Sequence, residues 1–321
     1  MGSSIATTKG DSGQTGLPVG MVSRMAKSPL ATFTLVLGII VSPMHQLRAI
    51  AAEPPARIVS TLPSITETLF ALGLGDRVVA VSQHCRYPPQ VLALPKVGTF
   101  VKPDLERIIA LKADLVVIND RATGNLPERL GAVHIPFVAV PSRTLSDVTR
   151  AIRQIGAAAG IESHAREVAE GIEQRLNDIR RLSAGQPRPR VLLILGRNPE
   201  ALTGMIAAGR DSYLNELITI AGGTNVLDEP GVPPYPHVSL ENVLHLKPDV
   251  IVDVIDLSAI PAVRTLRADA SRELWRHLRT IPAVRNGRVF ADAIDALVIP
   301  GPRVIDTAAW LADLIREPSR P

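Results

Sequence analysis

The chain has 321 residues, with 35 lysines and arginines against 31 aspartates and glutamates, a formal charge of +4, and only 3% aromatic residues. Its single cysteine, Cys85, excludes an intrachain disulfide and any structural zinc site built on two or more thiolates. The basic balance is not a nucleic-acid signature: the first 51 residues hold Lys9, Arg24, Lys27 and Arg48 against Asp11, so the rest of the chain carries about +1.

Residues 1–29 are rich in Gly, Ser and Thr, an apolar run follows from Leu30 to Val41, and Ala49-Ile50-Ala51 forms a small-x-small site. This order describes a secretory signal peptide cut after Ala51. The run is short of the roughly 20 apolar residues that span a membrane; an uncleaved anchor or a misassigned start codon are the alternatives. No cysteine stands near the site, which argues against a lipoprotein anchor. Beyond the leader the chain fits two modest domains.

Arg57 to Ser60 predicts a short strand, ended by Leu62-Pro63-Ser64, with Pro63 suited to the first turn of a helix. Ile65, Leu69 and Leu72 mark one face of that helix, which stops at Gly73. Val78 to Ser82 is the next strand, followed by a polar loop from Gln83 to Pro89, and Phe137 to Val140 is another. Strand–helix alternation with continuous aliphatic strands predicts a parallel sheet covered on both faces.

Two helices then follow without a strand between them. Leu145, Val148, Ile152 and Ile155 stripe the first; Gly160 breaks it; Ala165, Val168, Ala169, Ile172, Leu176 and Ile179 stripe the second. Residues 163–182 read as a rigid connector between lobes, the plainer alternative being a core-covering helix of one large domain. The expected division is a leader over 1–51, an α/β lobe over 52–144, linking helices over 145–186 and a second α/β lobe over 187–321. That second lobe contains a strand from Arg190 to Leu195, a helix from Tyr213, a Pro233-Pro234-Tyr235-Pro236 loop, a helix at Trp275, a late strand from Arg288 and a last helix from Pro302-Arg303.

The chain also repeats itself. Residues 104–118, D-L-E-R-I-I-A-L-K-A-D-L-V-V-I, match residues 239–253, S-L-E-N-V-L-H-L-K-P-D-V-I-V-D, at Leu105/Leu240, Glu106/Glu241, Leu111/Leu246, Lys112/Lys247, Asp114/Asp249 and Val117/Val252. Each copy reads as a capped two-turn helix, a Lys-x-Asp turn and a buried strand. Two similar α/β lobes, each presenting one glutamate on a surface helix, leave a cleft between them.

Several further motifs occur in order: S-x-x-P-S-x-T-E at 60–67, Tyr87-Pro88-Pro89, Lys96-Val97-Gly98, L-N-E-L-I-x-x-A-G-G-x-N at 214–225 and Gly301-Pro302-Arg303. Together with the two repeat copies they resemble the periplasmic substrate-binding proteins of ABC importers for cobalamin, haem and ferric siderophores. The loop His84 to Pro89 looks closest to the cobalamin-binding branch. The resemblance implies two Rossmann-like lobes with parallel sheets joined by one long helix, and a monomer that delivers a small-molecule ligand to a dimeric permease. It also implies docking through one glutamate per lobe, here Glu106 and Glu241, paired with permease arginines through bidentate forks.

Ligand contacts should come from loops after the strands. That nominates Pro63, Ser64, His84, Tyr87, Phe100, Arg121, Arg197, Tyr235 and Asp295. His84 and Tyr87 are candidate axial ligands to a cargo metal, with an ordinary surface role as the alternative. Arg121 and Arg197 could pair with carboxylates or an anionic chelate, or be solvated loop residues. Cys85 is expected to be a buried or semi-exposed free thiol, a thiolate ligand being the rarer case. Cobalamin binders of this kind line the cleft with several tryptophans; here Trp275 and Trp310 fall in helices away from those loops. No resident cofactor or metal is expected.

An enzyme finds little support. G-x-S-x-G, G-x-x-x-x-G-K-S/T, H-E-x-x-H and C-x-x-C are all missing. Gly73-Leu74-Gly75 follows a helix and lacks a third glycine, so it is a helix stop. Asp253 and Asp256 could form a carboxylate pair, but with no base or metal cluster nearby they read as polar residues in and after a strand. A scaffold without a small ligand is the third alternative. A stiff connector predicts little lobe movement on binding.

Overall fold

The computed structural model describes residues 53–121, 125–254, 261–292 and 295–318, and the side chains of 261–267 are set aside. The expected leader therefore lies outside the described residues. The first half contains β1 (Ile58–Ser60), α1 (Pro63–Ala71), β2 (Val78–Val81), α2 (Leu105–Ala110), β3 (Leu115–Asn119), α3 (Leu126–Ala132) and β4 (Phe137–Val140). Its sheet has the order β2-β1-β3-β4, all parallel. The chain winds one way from β1 and back the other way to β3, so the carboxyl ends of β1 and β3 form the switch point where such sheets bind ligands.

Two helices follow, α4 (Leu145–Ala158) and α5 (Glu162–Ser183). The second half comprises β5 (Arg190–Gly196), β6 (Met205–Ala207), α6 (Tyr213–Ile220), β7 (Thr224–Asn225), β8 (His237–Val238), α7 (Leu240–Leu246), β9 (Val250–Val254), α8 (Pro261–Trp275), α9 (Pro282–Arg285), β10 (Val289–Asp292) and α10 (Val304–Arg316). Its strand order is β10-β9-β5-β6-β8, with β7 beside the start of β5. This sheet departs from the all-parallel expectation. β9 and β10 run parallel to β5, but β6 pairs antiparallel with β5 and β8 antiparallel with β6. The turn from Arg197 to Gly204 is too short for a crossover helix and returns the chain beside the strand it just left.

Side-chain alternation sorts the core into layers. Val59, Ala80, Val116 and Ile118 face α2 and α3, while Leu192, Ile194 and Ile251 face Val243, Trp275 and Ile281. The opposite faces of both sheets share one core: Ile58, Val81 and Val117 from the first sheet and Val191, Leu193 and Val252 from the second, joined through α4, α5, α6 and α10. Helix α5, 22 residues long, extends about 33 Å. Its stripe Ala165, Ala169, Ile172 and Leu176 is buried in that shared core.

The internal repeat has a structural meaning. Asp114 accepts hydrogen bonds from the backbone N–H groups of Ala56 and Arg57, each at 2.8 Å, and Asp249 accepts from that of Arg190 at 2.9 Å. Arg57 and Arg190 in turn donate to the carbonyls of Leu111 and Leu246. In each half the Lys-x-Asp turn thus clamps the start of the central strand. Both turns pass through a left-handed lysine, Lys112 at φ 50° and Lys247 at φ 48°.

Gly156 of α4 lies where α5 crosses it: a Cβ there would stand 2.1 Å from the Ala165 Cβ. The small residues let the two backbones approach, and any larger side chain must push the helices apart. Gly156→Ala should destabilise the fold by about 1–3 kcal/mol, read as a lower urea midpoint, despite the better helix propensity of alanine.

Candidate functional site

A cavity of about 840 Å³ lies beyond the carboxyl ends of the strands, within the range of small-molecule sites. The first half supplies Leu62, Pro63 and Ser64 after β1, His84, Arg86, Tyr87 and Phe100 after β2, and Ser142 after β4. The second half supplies Tyr213 at the start of α6, Tyr235 before β8, Asp295, and Val298-Ile299-Pro300. Pro63 opens α1, and Thr68 donates back to the Ser64 carbonyl at 2.8 Å, so the first turn of that helix is a rigid piece of wall. The Tyr213 hydroxyl donates to the Leu297 carbonyl and pins the turn Asp295–Val298 against the opposite wall. Burial pushes the Tyr213 phenol well above its ordinary pKa, so it stays a neutral donor.

The floor is tied by charge. Arg303, just ahead of α10, donates through Nε and Nη2 to both carboxylate oxygens of Glu67 on α1, the first at 3.0 Å, and through Nη1 to Asp295 at 3.0 Å. Its guanidinium carbon lies 4.1 Å from the centroid of the Tyr87 ring. Burial raises the Glu67 pKa, with Arg303 pulling it back. Burial also weakens the Arg303 charge, but Glu67 and Asp295 more than restore it, and its pKa ends above the usual arginine range. A second link uses a backbone donor: the Leu145 N–H at the head of α4 donates to Glu216 of α6 at 3.0 Å.

Pro63, Ser64, His84, Tyr87, Phe100, Tyr235 and Asp295 thus come together in one cavity, whereas Arg121 and Arg197 do not. Arg121 is exposed after β3, its N–H bonded to the Asn119 side chain. Arg197 points away from the cavity into the second lobe. Its Nε meets Asp253 at 2.9 Å and its Nη2 donates to Ser271 at 2.8 Å, while Ser271 and Trp275 also donate to Asp253. Asp253 is the buried acceptor of this network rather than half of a carboxylate pair, and Asp256 lies outside the described residues. Cys85 is buried, its sulfur 3.1 Å from the Thr66 hydroxyl, and burial holds its thiol protonated. Trp275 is buried in the second-lobe core and Trp310 packs on the shared core; neither lines the cavity. Among the described residues no group of three or more His, Cys, Asp or Glu side chains gathers to hold a metal.

Sequence reasoning missed Leu62, Arg86, Ser142, Tyr213 and the run Val298 to Pro300 in the cavity wall, and Glu67 and Arg303 beneath it. Glu67 and Arg303 end two of the recognised motifs, which was the available signal; the Val298 run reads as ordinary apolar sequence. On the outer surface, Glu106 and Glu241 are both exposed in the first turns of α2 and α7. Asp104 and Ser239 cap those helices.

Two α/β halves facing a shared, mostly apolar cleft are the architecture of a solute-binding protein. The family described as periplasmic binding protein matches residues 58–294, and the chain belongs to it. The vitamin B12-binding protein of Vibrio cholerae is 31% identical over 267 residues, covering 82% of this chain and 90% of that protein. The uncharacterized ABC transporter substrate-binding lipoprotein YvrC of Bacillus subtilis is 29% identical over 271 residues, covering 82% and 81%. The periplasmic haem-binding protein HutB of Vibrio cholerae superposes with a TM-score of 0.69 at 25% identity, over 81% of this chain and 99% of that one. The chain is a binding protein and not an enzyme.

The Arg197 network gives a direct stability test. Arg197 and Asp253 have side chains 5% and 0% exposed. Removing the cation strands a buried carboxylate, so Arg197→Met should cost about 3–5 kcal/mol of unfolding free energy in urea.

Proposed function

We propose that this chain is an exported solute-binding protein that carries a corrinoid, cobalamin or a near relative, to the permease dimer of an ABC importer. The cavity wall carries the cargo assignment. Tyr87, Phe100 and Tyr235 offer flat aromatic surface beside Ser64, Ser142 and Asp295. A corrin ring is a broad macrocycle fringed by uncharged amides, which stack on such faces and donate to a carboxylate. The two arginines nominated for an anionic chelate lie outside the cavity, and the wall carries one arginine, Arg86, and one carboxylate, Asp295. Haem is the second reading, favoured by His84 at the wall, a candidate axial nitrogen.

Purified protein titrated with cyanocobalamin, haemin and a ferric trihydroxamate should bind cyanocobalamin saturably at one per chain, read by calorimetry and the cobalt absorbance. Saturable binding of haemin alone would install the second reading; binding of none would remove both.

Export rests on the leader over residues 1–51. Docking rests on the repeat: Glu106 and Glu241 occupy equivalent exposed positions at helix starts, where the dipole favours a carboxylate. A twofold permease offers two equivalent arginine sites, and one such contact per lobe fixes the orientation of the docked protein. Reversing both charges, Glu106→Arg with Glu241→Arg, should abolish cargo uptake in cells while leaving the cargo dissociation constant within about twofold, less than 0.5 kcal/mol. A collapse of affinity would overturn the assignment.

A further inference from the structure

Two chain segments 236 residues apart meet where the halves of the molecule touch. Glu67 lies on α1, one turn beyond the Pro63-Ser64 wall; Arg303 follows Gly301-Pro302 in the other half. The backbones are close here, since a Cβ on Gly301 would stand 3.2 Å from Glu67 Oε2 and 3.5 Å from the Ser64 Cα. The Glu67 side chain is 2% exposed and that of Arg303 16%.

The Arg303 guanidinium is fully engaged within the protein. One edge grips both oxygens of Glu67, Nη1 holds Asp295, and one flat face covers Tyr87. Arg303 itself does not line the cavity, but Asp295 and Tyr87 do. We propose that Arg303 is a positioning residue with two linked tasks. It ties the lobes at a fixed spacing through Glu67, and it sets the orientation in which Asp295 and Tyr87 meet the cargo. Its fork does what a lysine cannot, because only a planar guanidinium presents a bidentate edge, a third donor and a stacking face together. The cargo half of this proposal rests on the binding role assigned above; the tie between the lobes does not.

The tie is tested without cargo. Spin labels at Ala132→Cys and Arg279→Cys, one exposed site on each half, leave the buried Cys85 unlabelled. Pulsed dipolar spectroscopy should give one narrow distance distribution for the parent chain and a longer or broader one in both Arg303→Gln and Glu67→Gln. Arg303→Lys, which keeps the charge, is the variant to use if the glutamines do not fold. Distributions that match the parent would overturn the tie.

The orienting task is tested with cyanocobalamin. Arg303→Lys should raise its dissociation constant about tenfold in the parent chain, but less than about twofold in a Tyr87→Ala, Asp295→Asn background, where the groups it orients are gone. Equal losses in both backgrounds would overturn that task, since Arg303 would then act on cargo directly or only through the fold. A parent chain that binds neither cyanocobalamin nor haemin refutes the cargo role, and with it the orienting task, while the label distances still decide the tie.

Discussion

The organising constraint is that both sheets are closed by the same apolar core. A binding protein whose halves were joined by bare strands could open by rotating a few dihedrals. Here α5 buries one stripe in a core to which both sheets contribute, so moving one half against the other must shear packed side chains. The other faces of the sheets pack against their own helices. The cleft lies beyond the carboxyl ends of the strands, where loops from the two halves face each other and line the cavity. Gly156 against Ala165 shows how tightly the junction is drawn.

Against that frame, two arginines show how the same side chain acquires different duties. Arg197 and Arg303 each hold a buried carboxylate, Asp253 and Glu67. Arg197 lies within one half, with its partners on β9 and α8, and it stabilises the packing of that lobe. Arg303 reaches across the halves, and its remaining edges carry two groups of the cavity wall. A buried pair adds little net stability once desolvation is counted. Its structural value lies in fixing which surfaces face each other, and Arg303 does this where it matters for the cleft.

Much of the fold was legible because the central strands are continuous aliphatic runs and the long helices carry clean stripes. The antiparallel edge of the second sheet was not. β6 and β8 span three and two residues, too short for any period to register. The rule that ligands gather after strand ends placed Pro63, His84, Tyr87 and Asp295 in one cavity. Arg197 obeys the same rule by position, yet turns inward because a buried aspartate 56 residues later accepts from it. Tyr213 escaped notice because it begins a helix rather than following a strand. Long-range partners of this kind leave no local trace: nothing near Glu67 in the sequence announces Arg303.

The short outer strand of the second sheet has a bearing on self-association. An open sheet margin normally presents a row of unpaired peptide groups on which another molecule can zip itself. Here that margin is β8, His237–Val238, directly before the helix that carries Glu241. A ladder of two residues offers a stranger almost nothing to grip, so many copies can be crowded together without seeding fibrils from that side.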